Sequence, residues 1–260
     1  MSRNAGGKKA EVKRALTKPK SHFPMTVKHF FAEADIHLRY GDILLSRSPT
    51  YASRIIRFVS RQFFSHAAVI FLLPRHRDRF FHTFVIESLF KGVGIANLES
   101  YVGGPMPIEE VGILRLQGKA FTKDFFKFSN GTLLNEVNKP YDFKRLWQLA
   151  FSSVFGFQRA VQQLGRKPNR FRRWFPRQFI CSGFIQYGFF QAAVSEKINT
   201  QDVILKTGLD YPSTDEMMGT TPEDLARSDK LTWKFVIRRG WVYEVANYSD
   251  AKRIISGARL

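Results

Sequence analysis

The sequence has one cysteine, Cys181, among 260 residues. A single cysteine excludes an internal disulfide, and the six histidines do not combine with it in any spacing typical of zinc ligands. Cys181 is therefore either a small buried apolar side chain or a nucleophile whose partners come from distant parts of the chain. We predict that the protein uses no metal and no cofactor.

The sequence also lacks long apolar runs and several catalytic motifs. No stretch approaches the roughly 18 apolar residues that span a bilayer. Residues 1–25 are basic but lack the apolar centre of a secretory signal, so we expect a cytoplasmic protein. The absence of a phosphate-binding loop and of a Gly-x-Ser-x-Gly turn disfavours nucleotide hydrolysis and a serine nucleophile.

Acidic residues are scarce: 22 Asp and Glu stand against 41 Lys and Arg, for a net charge of +19. This excess favours contact with a polyanion, either an anionic membrane surface or nucleic acid. Residues 1–20 have the composition of a flexible basic tail. Residues 144–177 contain nine Lys or Arg and no acid, interleaved with aromatic residues such as Trp174 and Phe175. That pattern suits a lipid interface, and nucleic acid is less favoured because no base-reading motif is present. The alternative is that both segments are simply solvated.

The rest of the chain, residues 21–260, has ample material for one domain, with 44% hydrophobic residues and 26 Phe overall. Gly41-Asp42 is predicted to be a turn that leads into a buried strand at Ile43, so we expect Asp42 to be a turn or strand-start residue and not a catalytic one. Further strands are predicted over 66–73, 84–87, 93–95 and 111–116, and helices over 51–63, 121–137 and 182–194 and from Thr221. A hairpin between the strands that contain His66 and Glu87 would make these two residues cross-strand neighbours.

Five short motifs occur in a defined order. They are Gly41-Asp42-Ile43-Leu44-Leu45, Ser65-His66-Ala67-Ala68-Val69-Ile70, Val85-Ile86-Glu87-Ser88, and Tyr141-Asp142-Phe143 followed by Ile180-Cys181-Ser182. Together they resemble the permuted papain-fold cysteine hydrolases, the YiiX-like branch of the NlpC-type amidase superfamily. In this branch the histidine and the acidic residue precede the cysteine. The resemblance covers residues 41–190, and the long basic stretch before Cys181 departs from it as an insertion.

The resemblance implies an α+β fold in which a small antiparallel sheet packs against a helix that starts at Cys181. It implies that Cys181 is the nucleophile, His66 the general base and Glu87 the residue that orients the imidazole. Tyr141 would lie near the oxyanion or the substrate. The residues alone leave other roles open: Glu87 as a strand-end partner of a nearby arginine, and Tyr141 as an aromatic cover.

Two functions follow as expectations. The first is a cysteine hydrolase or acyltransferase that acts on an amide, ester or thioester bond through a thioester acyl-enzyme. The second is a non-catalytic basic protein that docks on an anionic membrane or on nucleic acid, with Cys181 in its core.

Overall fold

The computed structural model describes residues 23–47, 63–74, 82–89, 92–103, 110–137, 181–206, 217 and 219–257. The predicted basic tail (1–20), the basic aromatic insertion (144–177) and Tyr141 lie outside the described residues. So does the predicted helix over 51–63, except for its last residue, Phe63.

One antiparallel sheet organises the described residues. It has eight strands in the order β1-β8-β7-β6-β2-β3-β4-β5 and is therefore larger than the small sheet predicted. The difference comes partly from a C-terminal hairpin whose two-residue turn, Arg239-Gly240, has positive φ at both positions, as a tight hairpin turn requires. The strands are β1 Met25–Thr26, β2 Ile43–Arg47, β3 His66–Leu72, β4 Phe84–Leu89, β5 Gly92–Asn97, β6 Glu110–Leu116, β7 Leu231–Arg238 and β8 Trp241–Glu244.

Helices pack on both faces of this sheet. The predicted helix within 121–137 and the helix start at Thr221 are confirmed; Thr221 forms a capping box with Asp224. The α-helices of the described residues are α1 Val27–Ala32, α2 Ala34–His37, α3 Leu98–Gly103, α4 Lys123–Leu134, α5 Cys181–Ser195, α6 Pro222–Arg227 and α7 Tyr248–Ser256, with a 3-10 helix at Thr200–Val203.

The strands alternate between two buried layers, as the period of two along a strand requires. On one face Ile43, Val69 and Ile86 pack with α4, α5, α6 and α7. On the other face Ala68 and Val85 pack with α1, α2 and α3. Both faces of the central strands are buried, which explains why these strands are continuous apolar runs in the sequence.

The β3–β4 pairing differs from the simple hairpin predicted from the sequence. Glu87 lies opposite Ala68, and His66 comes two residues before Ala68 in β3, on the same face, so His66 and Glu87 are diagonal neighbours and not directly opposed. The register shifts between Ile70 and Leu72, where β3 has one extra residue. An unbroken pairing in the register of Leu72 and Phe84 would place Glu87 opposite Val69, on the other face of the sheet. The bulge is therefore what puts Glu87 on the face of His66.

Asp42 has the structural role expected of it. The buried carboxylate accepts hydrogen bonds from the backbone N–H of Arg39 at 2.8 Å and from two nitrogens of Arg115 at 2.7 Å each. Burial raises the pKa of Asp42, and Arg115 opposes that rise. This pair fastens the turn before β2 to the neighbouring strand β6.

Candidate active site

The three residues that the sequence singled out, His66, Glu87 and Cys181, come together where β3 begins. His66 is the first residue of β3, and its Nε2 lies 2.7 Å from Oε2 of Glu87. About 5% of the Glu87 side chain and 15% of the His66 side chain remain exposed. The second ring nitrogen, Nδ1, is left free for another partner.

Cys181 supplies that partner from α5, which packs on the face of the sheet opposite to the one that carries His66 and Glu87. It is the first residue of α5, it is 5% exposed, and its side chain is hydrogen-bonded to the His66 ring. The sulfur also accepts from the backbone N–H groups of Ala67 and Ser182. The His66 ring and these two N–H groups all favour the charged form of the sulfur.

These contacts favour an ion pair between the cysteine and the histidine. Burial lowers the pKa of His66, but the hydrogen bonds to Cys181 and Glu87 outweigh it and raise the pKa to about 10. Burial raises the pKa of the Cys181 thiol, but the His66 hydrogen bond and charge, with the two backbone N–H groups, bring the pKa below its ordinary value. The geometry therefore supports a thiolate beside an imidazolium.

The sequence reasoning missed Tyr101. Its buried hydroxyl donates a hydrogen bond to Oε2 of Glu87, the same oxygen that contacts His66. Burial opposes ionisation of Glu87, but the His66 and Tyr101 hydrogen bonds keep the pKa of this carboxyl below its ordinary value. Burial and the charge of Glu87 raise the pKa of Tyr101, so the phenol stays protonated. A prediction of Tyr101 required knowledge that the chain turns back over the sheet after β5, and no motif marks that turn.

Within the described parts of the chain, no group of three or more His, Cys, Asp and Glu side chains is arranged to hold a metal ion. The helices described in the structure include none with the length and apolar character to cross a membrane.

The fold and this Cys-His-Glu arrangement define a permuted papain-like protein, in which the histidine strand precedes the cysteine helix in the chain. Residues 37–236 match the family model described as "permuted papain-like amidase enzyme, YaeF/YiiX, C92 family". The chain belongs to this family, as the sequence motifs predicted.

A solved structure described as the metalloprotein yiiX from Escherichia coli O157:H7 is similar over 76% of this chain and 96% of its own, with 15% identity and a TM-score of 0.44. A comparison with curated proteins gives no match.

Proposed function

We propose that this protein is a cysteine hydrolase or acyltransferase in which Cys181 is the nucleophile, His66 the proton carrier and Glu87 the residue that orients the imidazole. One observation carries the proposal: the Cys181 side chain bonds the His66 ring, whose Nε2 bonds a buried carboxylate at 2.7 Å. A buried structural cysteine needs no such partners, whereas a nucleophile needs a base that is itself oriented by a third group.

The proposed reaction begins with the thiolate. The Cys181 sulfur attacks the carbonyl carbon of the substrate, and the carbonyl electron pair moves onto oxygen to give a tetrahedral oxyanion. As the oxyanion collapses, the bond to the leaving group breaks and His66 gives its Nδ1 proton to that group. The product is a thioester on Cys181. Water or another acceptor then attacks this thioester, His66 takes the acceptor's proton, and the thiolate is regenerated.

The start of α5 supports a place for the oxyanion. The first backbone N–H groups of a helix have no intrahelical acceptor, so the N–H of Cys181 is suited to donate to the oxyanion. The N–H of Ser182 bonds the sulfur itself. Tyr141, the further candidate from the sequence, lies outside the described residues and remains a prediction as an oxyanion or substrate contact.

The substrate class that we propose is an amide or acyl-lipid at an anionic membrane surface. The family is described as amidases, and the net charge of +19 would concentrate the protein at such a surface. An amide, an ester and a thioester all leave the same acyl group on the sulfur, so the reaction scheme holds for each.

Intact-mass spectrometry after incubation with pools of acyl lipids and peptide amides tests the proposal. We expect an acyl adduct at Cys181 that disappears in Cys181→Ala. In His66→Ala the adduct should form at least about 100-fold more slowly, the usual loss when a general acid–base is removed. Glu87→Gln should lose less, because its amide oxygen still accepts from His66. Adduct formation at another residue, or an equal rate in Cys181→Ala, would refute the assignment.

A further inference from the structure

We propose that Tyr101 is a positioning residue that holds Glu87 in the charged state and orientation needed by His66. This inference rests on the proposed function, since it concerns the same catalytic group. Tyr101 would touch neither the substrate nor the sulfur, so its effect passes through Glu87 and then His66.

Two hydrogen bonds stabilise the charged form of Glu87. Oε2 of this buried carboxylate receives both the Tyr101 hydroxyl and the Nε2–H of His66. A buried carboxylate with few donors tends to take up a proton, because burial penalises the charge. Tyr101 is the neutral donor of the two and does not exchange protons with the substrate, so it stabilises the carboxylate throughout the reaction.

Two hydrogen bonds fix α3 to the start of β4. They use both backbone polar groups of Thr83, just before β4: its N–H donates to Oε1 of Glu99 at 3.0 Å, and its C=O accepts from the N–H of Leu98 at 2.8 Å. The fully buried Leu98 lies three residues before Tyr101, on the same face of α3. The helix is therefore fixed to the start of β4, and Tyr101 reaches the carboxylate that the same strand carries four residues later.

Loss of the hydroxyl should propagate along the chain of hydrogen bonds. Without Tyr101, burial of Glu87 is opposed by His66 alone, so the pKa of Glu87 rises. A Glu87 that is protonated at higher pH ceases to stabilise the imidazolium, and the Cys181 thiolate then loses its partner at higher pH as well. The acid limb of the pH–rate profile is the range in which labelling slows because the thiolate takes up a proton. This limb must therefore move to higher pH.

The test is the rate of alkylation by iodoacetamide as a function of pH in the full-length protein. Cys181 is the only cysteine, so all thiol labelling reports on it. For Tyr101→Phe we expect the acid limb to rise by about half a pH unit, equivalent to about threefold slower labelling at a fixed pH on that limb. Tyr248→Phe is the matched control, because Tyr248 also donates to a glutamate, Glu223, at 2.7 Å and lies in α7. It should show the wild-type acid limb.

The outcomes separate this inference from the proposed function. If Tyr101→Phe has the wild-type acid limb while Glu87→Gln shifts it, Tyr101 has no positioning role and the proposed triad stands. If the wild-type protein labels only as an ordinary thiol does, the proposed function fails before Tyr101 is considered. If Tyr101→Phe unfolds, Glu99→Ala replaces it: this substitution removes the acceptor of the Thr83 N–H and leaves the Tyr101 hydroxyl in place. A wild-type acid limb in that variant overturns the anchoring of Tyr101 through α3.

Discussion

At the scale of single residues, the site depends on the burial of three ionisable groups that satisfy one another. An isolated charge in this position would be protonated or deprotonated to escape the penalty of burial. Here Cys181, His66 and Glu87 form a line in which each charge faces its opposite, and Tyr101 adds a neutral donor. Removal of one member leaves a buried charge without its partner. This costs more free energy than the intact pair contributes to stability.

The pair of Cys181 and His66 is predicted to make a contribution to the free energy of unfolding that is constant within a window of pH. The raised pKa of His66 gives stability that is lost as pH rises; the lowered pKa of Cys181 gives stability that is lost as pH falls. Between the ordinary values of 6.5 for His and 9.0 for Cys, the folded pair and the unfolded pair each bind one proton. Above 9.0 the unfolded chain loses its thiol proton, while the folded imidazolium keeps its own to about 10. Below 6.5 the unfolded chain gains a second proton first.

Urea unfolding across pH measures this contribution. The free energy of unfolding should decline above pH 9.0 and below pH 6.5 relative to the window between them. In Cys181→Ala the unfolded chain has no thiol to titrate, so a decline that begins at pH 9.0 should be absent. The same decline in this variant would mean that other groups produce it.

At the scale of elements, the sequence predicts most of the strands and helices that build the site, because apolar runs and helix caps are local signals. It does not predict the register of β3 and β4. An alternating pattern is compatible with Glu87 opposite Ala68 or opposite Val69, and only the bulge after Ile70 decides between them. Tyr101 depends on the path of the chain after β5, which is set by tertiary contacts at Thr83. It could not be found from the sequence for that reason.

The contact between α4 and α5 positions the helix that carries Cys181, and it requires a glycine. A Cβ at Gly188 would lie 2.7 Å from two carbons of the fully buried Leu133. Gly188→Ala should therefore force the helices apart and lower the free energy of unfolding by about 1 kcal/mol or more, the usual cost of overpacking a core. Urea unfolding measures the change.

Gly131, in α4 of the same helix pair, is the matched control. A Cβ at this position would meet nothing within 4 Å. Gly131→Ala should stabilise the protein by up to about 1 kcal/mol through helix propensity alone. If both variants change stability in the same direction, the close approach of α5 to Leu133 does not constrain the helix.

At the scale of the whole molecule, the net charge of +19 predicts attraction to anionic surfaces. Vesicle flotation should show binding that rises with the fraction of anionic lipid and falls with salt. The basic aromatic insertion at 144–177 is the predicted contact, so Trp174→Ala combined with Phe175→Ala should weaken binding. Trp241→Ala, which removes an exposed ring in β8, is the control for a general loss of aromatic surface. A protein that ignores anionic vesicles at low salt would contradict the membrane proposal.

The ultraviolet absorbance of the Cys181 thiolate, followed through pH with Cys181→Ser as the blank, tests most directly whether this cysteine is an activated nucleophile. In the wild type we expect the thiolate to persist well below the ordinary cysteine pKa of 9.0. In His66→Ala the effect of burial on the thiol is no longer opposed by the His66 hydrogen bond and charge. The pKa of Cys181 should then rise above its ordinary value, so the thiolate should form only at higher pH. A wild-type thiol that ionises at or above the ordinary pKa, unchanged by His66→Ala, would contradict the assignment of Cys181 and His66 as a catalytic pair.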